Sequence, residues 1–334
     1  MYIVLDTNIW YTELGLSSAR GAALKYYVNK KGAMIALPDV VKREVEFNLR
    51  KALNEARANV EANHRKILSV FGQLKEIVLP TPDEIDSKVS SLFDDLGVEL
   101  EHVPFSMKSA EHALSALISS QPPNGHKDQQ FKDSVVWADC LQLLDQDDVA
   151  LVTGDKGFYH DRDYKKGLAS NLREESDDAP NDLRIYSSLN ELLEEIAEPV
   201  ELDHGLLVKD YLSETHSSVE GILDRNGFVI EGEPGIEVSS FVTEQPYRLY
   251  VDFRITFSVS DVTEAGRSNG VLVLKGDAFY DTSAHCFSDI RNKGEELNFE
   301  DAEGEQQRKS VVMMVGNIVL GHRSVEHTIR HKIE

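Results

Sequence analysis

Four acidic residues stand where chemistry would use them. Asp6 ends the short apolar run Tyr2-Ile3-Val4-Leu5, and Asp155 closes the segment VALVTGD that begins at Val149. Both runs read as buried strands. In a parallel sheet, strand ends of this kind meet at the C-terminal edge, the usual ligand site of α/β folds. Asp133 stands at the start of a predicted helix, where the helix dipole favours negative charge. Glu44 lies early in a long predicted helix, one residue before Val45, so it borders the buried face. Carboxylates gathered at one edge repel each other: a pair ~4 Å apart costs roughly 4 kcal/mol at an effective dielectric near 20. Such a group needs protons, basic partners or divalent cations, and hard oxygen donors suit Mg²⁺ or Mn²⁺. One or two such ions can clamp a phosphodiester and lower the pKa of an attacking water. Taken singly, each acid has a plainer reading. An Asp after a strand turns the chain or caps a helix, and a lone Glu44 is a surface glutamate. The joint pattern is what points to chemistry.

The elements that must position these acids follow from periodicity. Residues 18–30 are predicted helix, and Ala33 to Leu37 a second strand closed by Pro38. From Asp39 to about Leu74 the apolar residues Val41, Val45, Leu49, Leu53, Ala56, Val60, Ile67, Phe71 and Leu74 fall on one helical face. Arg43, Arg50, Arg57 and His64 recur every seven residues on another face. Residues 83–97, 107–119 and 131–145 are predicted helices, with a Pro- and Gly-containing loop at 121–127. Val149 to Thr153 is a third strand, Leu183 to Tyr186 a fourth, and 188–197 a short acidic helix. Strands alternating with helices predict an α/β layer with a mostly parallel sheet. After residue 200 the period changes. Every odd position from Tyr247 to Val259 is apolar, a half-buried strand. Val271–Tyr280, Val311–Leu320 and Val325–Ile333 are further strand candidates, and Asn298–Glu305 reads as an acidic loop. The expected organisation is a three-layer α/β domain over 1–198 and a smaller β-rich, antiparallel α+β domain over 199–334.

The acids and their neighbours resemble a PIN-like nuclease domain. The resemblance rests on Val4-Leu5-Asp6-Thr7-Asn8, on Leu37-Pro38-x-x-Val41-x-x-Glu44, on the segment FKDSVVW from Phe131, and on LVTGDKGF from Leu151. It spans about residues 1–197, and the DSVVW segment is closest to a largely uncharacterised branch. The resemblance implies a metal-dependent endonuclease acting on phosphodiesters, usually RNA. Asp6, Glu44, Asp133 and Asp155 would be the catalytic and metal-holding acids, with Mg²⁺ or Mn²⁺ as cofactor. Thr7, Asn8 and Thr153 would orient them. Of the further acids the family often places near the last strand, Asp139, Asp161 and Asp163 are the candidates. Asp139 lies six residues beyond Asp133, faces another side of that helix and reads as structural. Arg43, Arg50, Lys127, Lys132 and Lys156 are the candidate substrate contacts. The competing reading of the arginine face is a solvated surface paired with Glu46, Glu55 and Glu61. Trp137 reads as core rather than as a base-stacking platform.

Composition narrows the alternatives. The chain has 35 basic and 58 acidic side chains, net −23, which argues against broad nucleic-acid affinity. Its only net-basic part is residues 1–80, with 12 Lys/Arg against 8 Asp/Glu. A polyanion site should therefore draw on that part. No apolar run is long enough to span a membrane, and the opening MYIVLDTNIW lacks the pattern of a secretory signal. Cys140 and Cys286 cannot build a disulfide framework, so the cytoplasm is the expected compartment. Dinucleotide and P-loop phosphate cradles are absent. His285, Cys286, His322, His327 and His331 are read as partly buried or surface residues rather than as a metal site. The expected partners are nucleic acid, RNA ahead of DNA, and a protein partner or a second copy bound through the C-terminal domain, with no membrane. The alternative functions are a catalytically silent PIN-fold adaptor and a DNA-directed nuclease.

Overall fold

The computed structural model describes residues 1–13, 15–74, 77–125, 129–197, 200–245, 247–263 and 267–310. They divide into two units, each described by itself. The first comprises Met1–Gly21 and Tyr27–Glu195; Ala22–Tyr26 and the chain from Ile196 onward make up the second. Among the described residues no helix is long and apolar enough to cross a membrane.

The N-terminal unit begins with β1 (Tyr2–Leu5), α1 (Thr7–Glu13), α2 (Ala19–Lys31), β2 (Met34–Pro38) and α3 (Asp39–Phe71). It continues through α4 (Pro82–Ser90), β3 (Leu100–Val103), α5 (Met107–Ile118) and α6 (Phe131–Leu144). β4 (Val149–Val152), α7 (Ser170–Asp177), β5 (Leu183–Tyr186) and α8 (Leu189–Ile196) complete it. All five strands are parallel, in the order β3-β2-β1-β4-β5. Ile3, Val4, Leu5, Ile35, Ala36, Leu37 and Val149 to Val152 are buried, so the central strands are apolar without alternation, as when helices cover both faces. The strand order reverses between β1 and β4. Such a switch point opens a crevice beyond the strands' C-terminal ends.

α3 is the longest element. Its 33 residues span about 50 Å at 1.5 Å per residue. Val41, Val45 and Leu49 are its buried residues. It ends where Gly72 adopts φ 72°, a left-handed conformation that glycine takes without strain, and the Gly72 amide donates to Leu68 O. The predicted helix at 83–97 is shorter: α4 gives way to a 3₁₀ turn at Asp94–Leu96, and β3 was not among the expected strands. Trp137 is fully buried, and its indole N–H donates to Glu175 Oε2 at 2.7 Å.

The second unit holds α9 (His204–Asn226), β6 (Phe228–Ile230), β7 (Gly235–Val242), β8 (Arg248–Asp261), β9 (Gly270–Asp281), β10 (Cys286–Glu300) and β11 (Gln306–Ser310). The sheet is antiparallel, in the order β11-β10-β9-β8-β6, with β7 also paired to β8. α9 covers one face. Leu207, Tyr211, Val219, Ile222 and Leu223 pack on Val251, Phe253, Ile255, Phe257 and Val259 of β8 and on Leu272 and Leu274 of β9. The odd-position stripe of β8 is thus the buried face. One expectation is corrected here. Asn298–Glu300 continues β10, because each residue has a partner in β11, so the loop begins only at Asp301. α9, 23 residues long, was not among the expected elements. The strand candidates Val311–Leu320 and Val325–Ile333, with His322, His327 and His331, lie outside the described residues.

Candidate active site

The ends of β1 and β4 are joined before any side chain is considered: the Asp6 amide donates to Val152 O at 3.0 Å. The Asp6 carboxylate, almost wholly buried, is then fixed on both oxygens. Oδ1 accepts from the Thr7 amide at 2.6 Å, and Oδ2 accepts from Asn8 Nδ2 at 2.8 Å and Thr153 Oγ1 at 2.6 Å. Thr153 Oγ1 in turn accepts from the Asp155 amide at 3.0 Å. One buried hydroxyl therefore sets the distance between the two strand-end acids. Asn8 Oδ1 accepts from the Gly154 amide at 3.3 Å, which holds the turn after β4 against α1.

Asp155 has its own supports. Oδ1 accepts from the Gly157 amide at 2.7 Å and Oδ2 from Gln130 Nε2 at 3.1 Å. Gln130 precedes α6, and its amide donates to Asn124 Oδ1 at 2.8 Å. Asn124 Nδ2 donates to Ser134 Oγ at 2.7 Å, so the loop before α6 is tied to the helix that carries Asp133. Behind the β4 turn, the Tyr159 hydroxyl donates to Thr153 O at 3.0 Å and the Tyr164 hydroxyl to Gly154 O at 2.8 Å. The two rings pack edge to face with centroids 4.9 Å apart.

Glu44 reaches the same place from α3. Its Oε2 accepts from Thr7 Oγ1 at 3.0 Å, and its Oε1 is paired with Lys132 Nζ. Asp6, Glu44, Asp133 and Asp155 all line one cavity of about 790 Å³, along with Thr7, Asn8 and Lys132. Burial holds the Asp6 carboxyl above the ordinary range, with the charge of Asp155 adding to the effect and the bond from Thr153 opposing it. Asp133 is pushed up to about 7. Burial is the largest cause, followed by the negative charges of Asp6 and Asp155, while Lys132 acts the other way. The four acids thus outnumber the two lysines, Lys51 and Lys132, that line the cavity, and near neutral pH a proton makes up part of the difference.

This donor set fits a hard divalent cation in chemistry: oxygen donors only, in charge excess, with Asp6 and Asp155 already oriented by neighbours. The carboxylates are nonetheless dispersed. Among the described residues no three His, Cys, Asp or Glu side chains are grouped closely enough to hold a metal ion as they stand. Glu44 faces Lys132, and Asp6 spends both oxygens on Thr7, Asn8 and Thr153.

The expected substrate contacts do not share one location. Lys132 lines the cavity. Arg43 is exposed and pairs with Asp39 at 3.6 Å. Arg50 is committed to Glu46 at 3.1 Å, Asp86 at 3.5 Å and Ser90 at 3.0 Å, so it joins α3 to α4. Lys156 lies over the Tyr164 ring. None of these three lines the cavity. Lys127 is outside the described residues. Lys51, Asn48 and Glu55 of α3 do line it. Asp139, read as structural, is fully buried away from the cavity and accepts from Ser109 Oγ at 2.6 Å. Asp161 pairs with Lys166 at 2.8 Å, and Asp163 caps a 3₁₀ turn. Gln130, Asn124, Tyr159 and Tyr164 were missed by sequence reasoning. Only Gln130, three residues before Asp133, carried a positional signal.

Residues 3–158 match the family model described as the PIN domain. Neither the comparison with curated proteins nor that with solved structures returned a match.

Proposed function

The N-terminal domain is PIN-like, a nuclease-type fold, and from that premise we propose that this protein is a metal-dependent endonuclease whose first substrate class is single-stranded RNA. The observation that carries the reading is the convergence of Asp6, Glu44, Asp133 and Asp155 on one cavity at the sheet's switch point. PIN domains generally use divalent metals. Asp6, Asp133 and Asp155, with Glu44, would hold Mg²⁺ or Mn²⁺, which when bound supplies positive charge at the scissile phosphate and activates water.

The chain's own residues perform the remaining work. Thr153, Asn8 and the Thr7 amide fix the Asp6 carboxylate, so it needs little reorganisation. Gln130 and the Gly157 amide do the same for Asp155. Asp133, pushed up to about 7, holds a proton part of the time near neutrality and would release it to water when a cation is bound. Lys132 neutralises Glu44 at rest and is the nearest cation to receive a phosphate oxygen. Residues 1–198 form the nuclease domain of this reading. Residues 199–334 form an accessory domain that binds a protein partner, and the compartment is the cytoplasm.

One observation favours a second reading, a catalytically silent adaptor: the pairing of Glu44 with Lys132 puts an ammonium where the first reading places a metal-holding acid. Labelled single-stranded RNA and DNA, incubated with Mg²⁺, Mn²⁺ or EDTA, separate the two. Metal-dependent cutting by the wild type that is lost in Asp133→Asn supports the nuclease, and the preferred strand names its substrate. Absence of cutting with either metal on either strand supports the adaptor.

A further inference from the structure

α3 is apolar on the side its own domain leaves bare. Val41, Val45 and Leu49 are buried, and the same face continues outward through Leu53, Ala56, Val60, Asn63, Ile67 and Val70. Every one of these six is exposed, Val60 at 42%, Ile67 at 49% and Val70 at 79%. The half-covered positions of the outer helix are instead Arg50, Ala52, Asn54, Arg57, Glu61 and His64, all polar but Ala52. A helix that turned its apolar face to its own fold would show the reverse. The overhang from Leu49 to Phe71 is about 33 Å long, too extended a patch to be scattered surface residues.

The spacing says what covers it. The six residues step by 3, 4, 3, 4 and 3, the heptad pattern of a coiled-coil seam, with Leu53, Val60 and Ile67 at a and Ala56, Asn63 and Val70 at d. Branched Val and Ile at a suit a two-stranded pair, and the d-position Asn63 is the one polar break in the seam. Charge selects the direction. In a parallel pair, Asn59 of one copy faces His64 of the other, and Lys66 faces Phe71; no like charges are opposed. An antiparallel pair would set the Arg50, Arg57 and His64 edge against itself.

We infer that the protein self-associates through the outer half of α3, as a parallel two-stranded coiled coil with a second copy of the chain. Of the cavity-lining residues of this helix, Glu44, Asn48, Lys51 and Glu55 lie on a different face, roughly 100° or more round the axis at about 100° per residue, and only Ala52 borders the seam. Pairing therefore leaves the cavity open and sets two cavities at the same height along the paired helices. The inference stands whether or not the cavity cuts nucleic acid.

Sedimentation velocity on the full chain at micromolar concentration tests it. The wild type should sediment at twice 37.4 kDa, and the double variant Val60→Glu with Ile67→Glu at the monomer mass, with unchanged circular dichroism because both side chains are exposed. A wild type that stays monomeric overturns the proposal and gives the stripe to another occupant. A dimer that survives the double substitution overturns it equally. Val70→Cys, oxidised against a wild-type control for Cys140 and Cys286, reports direction. A disulfide-linked dimer supports the parallel register, and its absence overturns that register.

Discussion

Asp133 and Asp139 sit six residues apart on α6, and both carboxyls are held above the ordinary range, for different reasons. Asp133, pushed to about 7, is raised by burial and by the charges of Asp6 and Asp155. A carboxyl whose folded pKa exceeds its unfolded value makes stability fall as pH rises from the unfolded pKa through the folded one, since the folded state holds the extra proton in between. Asp133→Asn should therefore stabilise the metal-free protein above pH 7 by roughly 2–4 kcal/mol, while abolishing any cutting. Urea unfolding in EDTA at pH 5 and pH 8 measures this, and equal stability of variant and wild type at pH 8 would sink it. Asp139 is pushed up to about 6, first by burial, with the bond from Ser109 opposing and Asp39 adding. Its Oδ2 is buried with no hydrogen-bond partner. Asp139→Asn keeps the acceptor for Ser109 and removes the titration. Between pH 4 and pH 6 the wild type should lose about 2–3 kcal/mol relative to this variant; parallel pH curves for the two proteins would refute the assignment. The cavity acids were legible as a set because strand ends and helix starts are readable from local sequence. Gln130, Tyr159 and Tyr164 were not, because each acts by a contact with a partner that only the folded turn after β4 brings near.

At the scale of elements, the 3₁₀ turn Lys156–Phe158 that follows β4 packs closely on the loop before α6. A side chain at Gly157 would place its Cβ 2.7 Å from Pro123 O and 2.8 Å from Gln130 Oε1. Those atoms belong to the loop that holds Asp155, so the loop must shift. Gly154 is the contrast: a Cβ there meets nothing closer than Asn8 Oδ1 at 3.6 Å, an ordinary contact. Gly157→Ala should cost about 1–3 kcal/mol from overpacking and lower cleavage further than that loss of stability explains. Gly154→Ala should stay within about 0.5 kcal/mol of wild type. Thermal unfolding beside a cleavage time course reads both, and equal behaviour of the two variants would contradict the account. The parallel core strands were readable because Tyr2–Leu5 and Val149–Val152 are continuous apolar runs. α9 was not, although Leu207, Tyr211, Val219 and Leu223 keep helical spacing. Ser213, Thr215, Ser217, Ser218 and Gly221 interrupt the stripe, and its apolar face becomes evident only against the odd positions of β8. β3 and β11 were missed for a related reason: Leu100–Val103 is only four residues long and half polar, Gln306–Ser310 is wholly polar, and their strand character comes from pairing with β2 and β10.

For the molecule as a whole, charge decides how a polyanion is held. The chain is net −23, and among the described residues lining the cavity only Lys51 and Lys132 are basic. The arginines that recur along α3 are placed elsewhere, Arg43 on Asp39 and Arg50 on Glu46 and Asp86. Affinity for a single strand should therefore rest on few displaced counterions. Each neutralised phosphate contributes about −0.7 to the slope of log K against log salt for single strands, so two contacts give about −1.4. Fluorescence anisotropy of a labelled RNA with the uncleaving Asp133→Asn variant, titrated across salt concentrations, measures that slope. A value near it would mean that strand recognition depends on the cavity acids and the cation they would hold more than on a basic track, and that Lys132→Ala should remove about half of it. A slope several times steeper would mean that basic residues away from the cavity carry the strand. Arg43 and Lys156, both exposed, would then be the first to substitute.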